Sequence, residues 1–245
     1  MPQQEPWTVR RILEWTCGYL GRRGDEHPRH SAEWLLCDAT GLSRVELYVN
    51  FDRPLAPEEL DRMHAGIERR AAGEPLQYVT GEMPFRHIVL RCEKGVLIPR
   101  PETEVLVDAA LEGVDAATRV AGGPTRVLEI GTGTGCISLS VASERPGTRV
   151  VATDLSPLAV DLATRNREAL GLADAVDIVQ TDLAADVDPA LMGTFSVLVS
   201  NPPYIPTAVL ANEVPAEVKD NEPELALDGG ADGLDVFRRI LELAP

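Results

Sequence analysis

The spacing of apolar residues divides this chain into a helical first third and a remainder built from short apolar runs. Val9, Ile12, Trp15 and Tyr19 recur on related turns and predict a helix from Thr8 to Leu20. Further helices are predicted roughly over Pro28 to Ala39, Ser43 to Tyr48 and Pro57 to Ala72. Ser43 and Glu46 have capping-box spacing, Pro57 opens the last of these segments and Gly73 lies just past its end. Together they predict a small helical bundle over 1–73. From Leu76 to Ile98 the pattern alternates around Gly81, Pro84 and Gly95, which predicts a β-hairpin linker over 74–98. A short helix is then expected from about Glu102, with Val105, Leu106 and Leu111 on its apolar face.

Four runs of strand length follow within 99–245: Arg126 to Ile130, Arg149 to Thr153, Ala175 to Gln180 and Phe195 to Ser200. The helical pattern Ile137, Leu139, Val141, Ala142 separates the first two, so the reading is an α/β domain with a doubly wound sheet. A last helix is expected to be capped by Asp232 and to run through Val236, Phe237, Ile240 and Leu241 to Pro245.

Candidate chemistry gathers where these strands end, the edge at which open α/β sheets bind ligands. After the first strand comes Gly131-Thr132-Gly133-Thr134-Gly135, whose alternating glycines let the backbone turn sharply and approach a ligand closely. The second ends at Asp154, from which a carboxylate can accept two ribose hydroxyl hydrogen bonds. A nicotinamide dinucleotide fingerprint requires Gly-x-Gly-x-x-Gly, and here its last position is Cys136. A nucleoside site of another kind is therefore expected. The fourth strand leads into Asn201-Pro202-Pro203-Tyr204. The prolines remove two N–H donors, so the Pro202 carbonyl and the Asn201 side-chain oxygen can both accept from one planar NH₂ group, with Tyr204 as a flat apolar surface beside it. Alone, this tetrapeptide is also readable as a rigid turn after a strand.

The Gly-x-Gly-x-Gly loop with Glu129 before it resembles the S-adenosyl-L-methionine site of Rossmann-like methyltransferases, in which such a carboxylate lies near the methionine ammonium. From about Trp7 to Pro245 the chain resembles the protein-(glutamine-N5) methyltransferases of translation release factors, the HemK/PrmC family. The resemblance includes Gly73 to Gly81, Phe85, Val96-Leu97-Ile98-Pro99-Arg100-Pro101-Glu102-Thr103-Glu104, Glu217, Glu222-Pro223 and Ala226 to Leu234. It implies an α/β Rossmann-like S-adenosylmethionine-dependent methyltransferase domain preceded by a small all-helical, substrate-docking domain. It also implies transfer of a methyl group to the glutamine of the Gly-Gly-Gln motif of peptide chain release factors, in the cytoplasm. Thr132, Thr134 and the glycines around them would hold the cofactor with Asp154, while Asp182 and Leu183 would flank its adenine. The second of these places is often aromatic in the family, and Leu183 can pack on a base without stacking. The Pro99 to Thr103 segment lies beside the cofactor in the family, although these residues read equally well as a stiff helix start. The sheet inventory is shorter than the family's, so C-terminal strands are expected to be missing, leaving an unpaired edge beside Asn201.

Composition narrows the alternatives. Net charge is −16, with 39 acidic against 23 basic residues, which disfavours an obligatory phosphate-backbone partner. The early arginines Arg10, Arg11, Arg22, Arg23 and Arg29 read as a solvated helix face. No apolar run reaches the roughly twenty residues that span a bilayer, and Met1 to Pro6 has no signal-peptide pattern, so no membrane role is expected. Cys17, Cys37, Cys92 and Cys136 show neither metal-ligand nor disulfide spacing and read as buried small hydrophobes; the four histidines share no spacing, and no metal is expected. Trp7, Trp15 and Trp34 are expected to fill a thin bundle core, an exposed one marking a docking face. Two other functions fit parts of the pattern: methylation of adenine amino groups in RNA or DNA, and a noncatalytic S-adenosylmethionine-binding assembly role.

Overall fold

The computed structural model describes residues 6–121 and 124–243, and its contacts group into two units, Met1–Gly81 and Glu82–Pro245. The amino-terminal residues 1–5 and the carboxyl end of the last helix at Pro245, both subjects of sequence expectations, lie outside the described residues.

The first unit contains α1 (Val9–Arg22), α2 (Pro28–Thr40), α3 (Arg44–Val49), α4 (Pro57–Ala71) and α5 (Leu76–Thr80). Thr8 caps α1, its hydroxyl accepting from the Arg11 N–H at 3.4 Å. Ser43 and Glu46 form the reciprocal capping box at α3. Leu13, Leu20, Leu35, Leu36, Leu47 and Met63 are fully buried and make the core. The tryptophans do not fill it. Trp7 and Trp34 are half-buried at its margin, and Trp15 is 44% exposed, stacked on Tyr19 with ring centroids 5.0 Å apart. Leucines at helical spacing already occupy the interior, which leaves the indoles the rim.

The expected hairpin is shorter than its sequence pattern. Leu76–Thr80 is a helical turn with Leu76, Tyr78 and Val79 buried, opened after Pro75 and ended by Gly81 in the left-handed region at φ 76°. Only β1 (Glu82–Phe85) and β2 (Ile88–Arg91) pair, antiparallel, with Phe85 opposite Ile88.

In the second unit, α6 (Thr103–Ala121) is a 19-residue helix where a short one was expected. Its buried face is Val107, Ala110, Leu111 and Val114, at the i, i+3, i+4, i+7 spacing. Val105 falls off that stripe and is 71% exposed, contrary to expectation. There follow β3 (Arg126–Ile130), α7 (Cys136–Glu144), β4 (Arg149–Asp154), α8 (Pro157–Ala169), β5 (Val176–Gln180) and β6 (Val197–Ser200). The strands form a parallel sheet in the order β5-β4-β3-β6. Chain direction across the sheet reverses at β3, so its carboxyl end opens onto a topological switch point. One face packs α6, α7 and the hairpin around Val127, Ile137, Leu139 and Val199; the other buries Leu128, Ile130 and Val151 with Ile240.

Beyond β6 lie α9 (Thr207–Asn212), α10 (Ala216–Lys219) and α11 (Asp235–Leu241). Asp232 does not cap α11. It precedes the first helical residue by too much, and its carboxylate instead accepts from the Leu234 N–H at 3.2 Å and pairs with Arg238. Among the described residues β6 pairs only with β3, and Leu198 on it is 38% exposed. No helix among the described residues is long and apolar enough to cross a membrane. All four cysteines are free, with Cys92 and Cys136 buried and Cys17 and Cys37 half-buried.

Candidate functional site

Each chemistry-bearing segment leaves the carboxyl end of a parallel strand, so sheet register brings them to one edge. The loop after β3 is tied to β4: Gly131 and Thr132 N–H groups both donate to the Thr153 carbonyl at 2.9 Å. Gly131, Gly133 and Gly135 all hold positive φ, which a side chain would strain. Asp154, at the end of β4, accepts from the Gly133 N–H at 2.8 Å through Oδ2 and from the Ser156 N–H at 2.9 Å through Oδ1. Burial raises its pKa, and each oxygen retains acceptor capacity for a hydroxyl.

An open cleft runs over this edge. Gly131, Gly133, Asp154, Asp182, Leu183, Asn201 and Pro203 line it. Leu97, Leu155, Val236 and Arg239 line it too, none of them a candidate site residue from the sequence. Arg239 of α11 donates to Asp182 Oδ2 at 2.8 Å, fixing a carboxylate that is otherwise half exposed. Leu183 has φ 54°, a left-handed conformation that a branched side chain adopts only when its surroundings hold it there.

The cleft continues into a smaller recess lined by Glu129, Thr132 and Thr134, with Leu97, Gly131, Gly133 and Asn201 common to both. Odd positions of β3 face α7, so Glu129 is carried under the start of that helix and is fully buried. Its Oε2 accepts from the Thr132 hydroxyl at 2.8 Å and the Ser138 N–H at 3.1 Å, whereas Oε1 has no partner. Burial, opposed in part by these hydrogen bonds, pushes the carboxyl up to about 7. A buried carboxylate oxygen without a donor, lining a recess, suits a cationic group.

The tetrapeptide after β6 divides its residues between spaces. The Ser200 hydroxyl donates to the Ile130 carbonyl at 2.7 Å and pins the strand end. Pro203 lines the main cleft, while Pro202 and Tyr204 line an adjoining pocket with Arg100, Ile205, Val214 and Val218. Asn201 lines the cleft, the recess and the pocket, as does Leu97. Tyr204 is 64% exposed. The strap between Leu97 and Thr103 is anchored from below by buried Glu222, which accepts from the Ile98 N–H at 3.2 Å and from the Arg100 guanidinium. The arrangement can hold a nucleoside with a cationic tail in cleft and recess, and a planar amine in the pocket, with Asn201 where they meet.

Comparison with known proteins places the chain in a family. Residues 11–81 match the PrmC N-terminal domain model, and residues 112–226 match the methyltransferase small domain model. The release factor glutamine methyltransferase of Geobacter sulfurreducens is 46% identical over 241 residues, covering 98% of this chain and 80% of the relative. That of Moorella thermoacetica is 44% identical over 96% of this chain and 79% of its own length, and that of Rhodopirellula baltica 42% over 96% and 78%. With relatives this similar along nearly its whole length, the chain belongs to the release factor glutamine methyltransferase family.

Proposed function

We propose that this S-adenosyl-L-methionine-dependent methyltransferase methylates the side-chain amide nitrogen of the glutamine in the Gly-Gly-Gln motif of peptide chain release factors. The observation that carries the reading is the position of Asn201, shared between the cleft that holds Gly131, Gly133 and Asp154 and the pocket that holds Pro202 and Tyr204. The cofactor supplies an electrophilic methyl group on a sulfonium centre. Asp154 would accept from its ribose, Asp182 and Leu183 would flank its base, and Glu129 would face its ammonium with Thr132 and Thr134 alongside.

An amide nitrogen is a poor nucleophile because its lone pair is shared with the carbonyl. Asn201 Oδ1 and the Pro202 carbonyl would accept its two N–H groups, localising the lone pair and aiming it into the cleft, while Tyr204 covers the amide plane. This is positioning with electrostatic stabilisation, and it needs no general base. The proton leaves after the new N–C bond forms, when the nitrogen has become acidic. The helical unit would dock the release factor as protein surface, in the cytoplasm and without obligatory nucleic acid, in keeping with a net charge of −16.

Asn201→Ala is expected to abolish transfer while cofactor affinity stays within about tenfold, roughly 1.4 kcal/mol. Calorimetric titration with S-adenosylhomocysteine beside the transfer assay checks this; equal loss of both in a folded protein would place Asn201 in the cofactor site alone.

A further inference from the structure

The role given to Asn201 requires that its amide present oxygen, not nitrogen, to the acceptor. An asparagine amide can turn over, and in the inverted orientation its NH₂ would oppose the NH₂ of the substrate. Something must therefore hold the nitrogen elsewhere. Asn201 Nδ2 donates to the Thr103 hydroxyl oxygen at 3.3 Å, across a sequence separation of 98 residues. Thr103 is the first residue of α6 and is buried, with 6% exposure, so this hydroxyl has little access to competing water. Its backbone N–H donates to the Arg100 carbonyl at 2.9 Å. Arg100 is in turn paired with buried Glu222, which also accepts from the Ile98 N–H, so the strap leading to this hydroxyl is tied down at Ile98 and Arg100.

Resting on the functional reading above, we propose that Thr103 is a positioning residue that holds the Asn201 side chain in place, with Nδ2 on the Thr103 hydroxyl and Oδ1 left for the substrate's N–H. The side chain of Thr103 acts through Asn201. Losing its oxygen leaves Nδ2 without this partner, so the Asn201 side chain turns or shifts out of place and Oδ1 meets the substrate's N–H in only a small fraction of encounters. The effect belongs to the transition state and not to cofactor binding.

The test compares Thr103→Val, which keeps the shape and removes the oxygen, with Thr103→Ser, which keeps the oxygen. Thr103→Val is expected to lower kcat by about ten- to a hundredfold. Its KM for the release factor and its affinity for S-adenosylhomocysteine should stay within about threefold, the signature of an interaction used in the transition state. Thr103→Ser should restore kcat to within about threefold of the unaltered protein, and thermal melting of both variants identifies any loss through misfolding. A native kcat in Thr103→Val, or equal impairment in both variants, overturns the inference alone. An unaltered protein that binds S-adenosylhomocysteine yet leaves the release factor unmethylated overturns the functional reading and this inference with it.

Discussion

In the proposed function, Glu129 would couple fold, cofactor and pH. Its carboxyl is raised from 4.5 to about 7, so the fold holds its proton more tightly than the unfolded chain does. That contribution is complete below the unfolded value and is lost as pH rises through 7, an effect of about 3 kcal/mol. A cation against the partnerless Oε1 reverses the preference, because it favours the ionised form. Affinity for S-adenosylhomocysteine is therefore expected to rise as pH increases towards 7 and to level off above it. Glu129→Gln should bind more weakly and lose most of this slope. Titration calorimetry across that range, in buffers of different ionisation enthalpy, would reveal the linked proton release; a flat profile in the unaltered protein would remove Glu129 from the ammonium site. An acid before a glycine loop was legible in the sequence. Its burial and its spare oxygen were not, because they depend on the helix that α7 lays over β3. The contact between Thr103 and Asn201 was hidden for the same kind of reason, as no local pattern links residues so far apart.

At the scale of elements, the bundle helices α1 to α4 were readable because each buries one face at helical spacing, and the strands β3 to β6 because they are short apolar runs, Val127 and Leu128 of β3 being buried on opposite faces of the sheet. Errors fell where a local signal was outweighed by its context. Leu76–Thr80 alternates like a strand, yet Pro75 and Gly81 enclose a single helical turn. Asp232 has the chemistry of a cap but is held by Arg238. The loop from Gly229 to Gly233 shows a role that composition alone does not reveal. It packs directly behind the Asn-Pro-Pro-Tyr tetrapeptide: Gly229 N–H donates to the Ile205 carbonyl at 2.9 Å, and Ile205 N–H to the Leu227 carbonyl at 3.0 Å. A Cβ at Gly233, where φ is 79°, would stand 2.4 Å from the Tyr204 carbonyl oxygen. Gly233→Ala should therefore push the Pro203-Tyr204 backbone into the pocket and lower transfer by about tenfold or more. Cofactor affinity should change far less, since the Gly131 loop and Asp154 lie on other strands. Paired kinetic and calorimetric measurements would check this, and unchanged kcat would mean that the tetrapeptide does not depend on this buttress.

On the scale of the whole molecule, an acidic chain of two units carries its chemistry at one sheet edge. Fold class and cofactor class were accessible from sequence because glycine loop, acidic strand end and Asn-Pro-Pro-Tyr occur in the order that a doubly wound sheet brings together. The division of cleft, recess and pocket around Asn201 and Leu97 was not, since it arises from strands and loops converging in space. The choice of acceptor is the central claim, and locating the transferred methyl tests it most directly. The chain would be incubated with isotopically labelled S-adenosyl-L-methionine and a release factor carrying Gly-Gly-Gln, and the label mapped by peptide mass spectrometry. Label on that glutamine alone, absent from a factor with Gln→Ala, is the expected result. Label on RNA or DNA, or on the factor at any other residue, would contradict it.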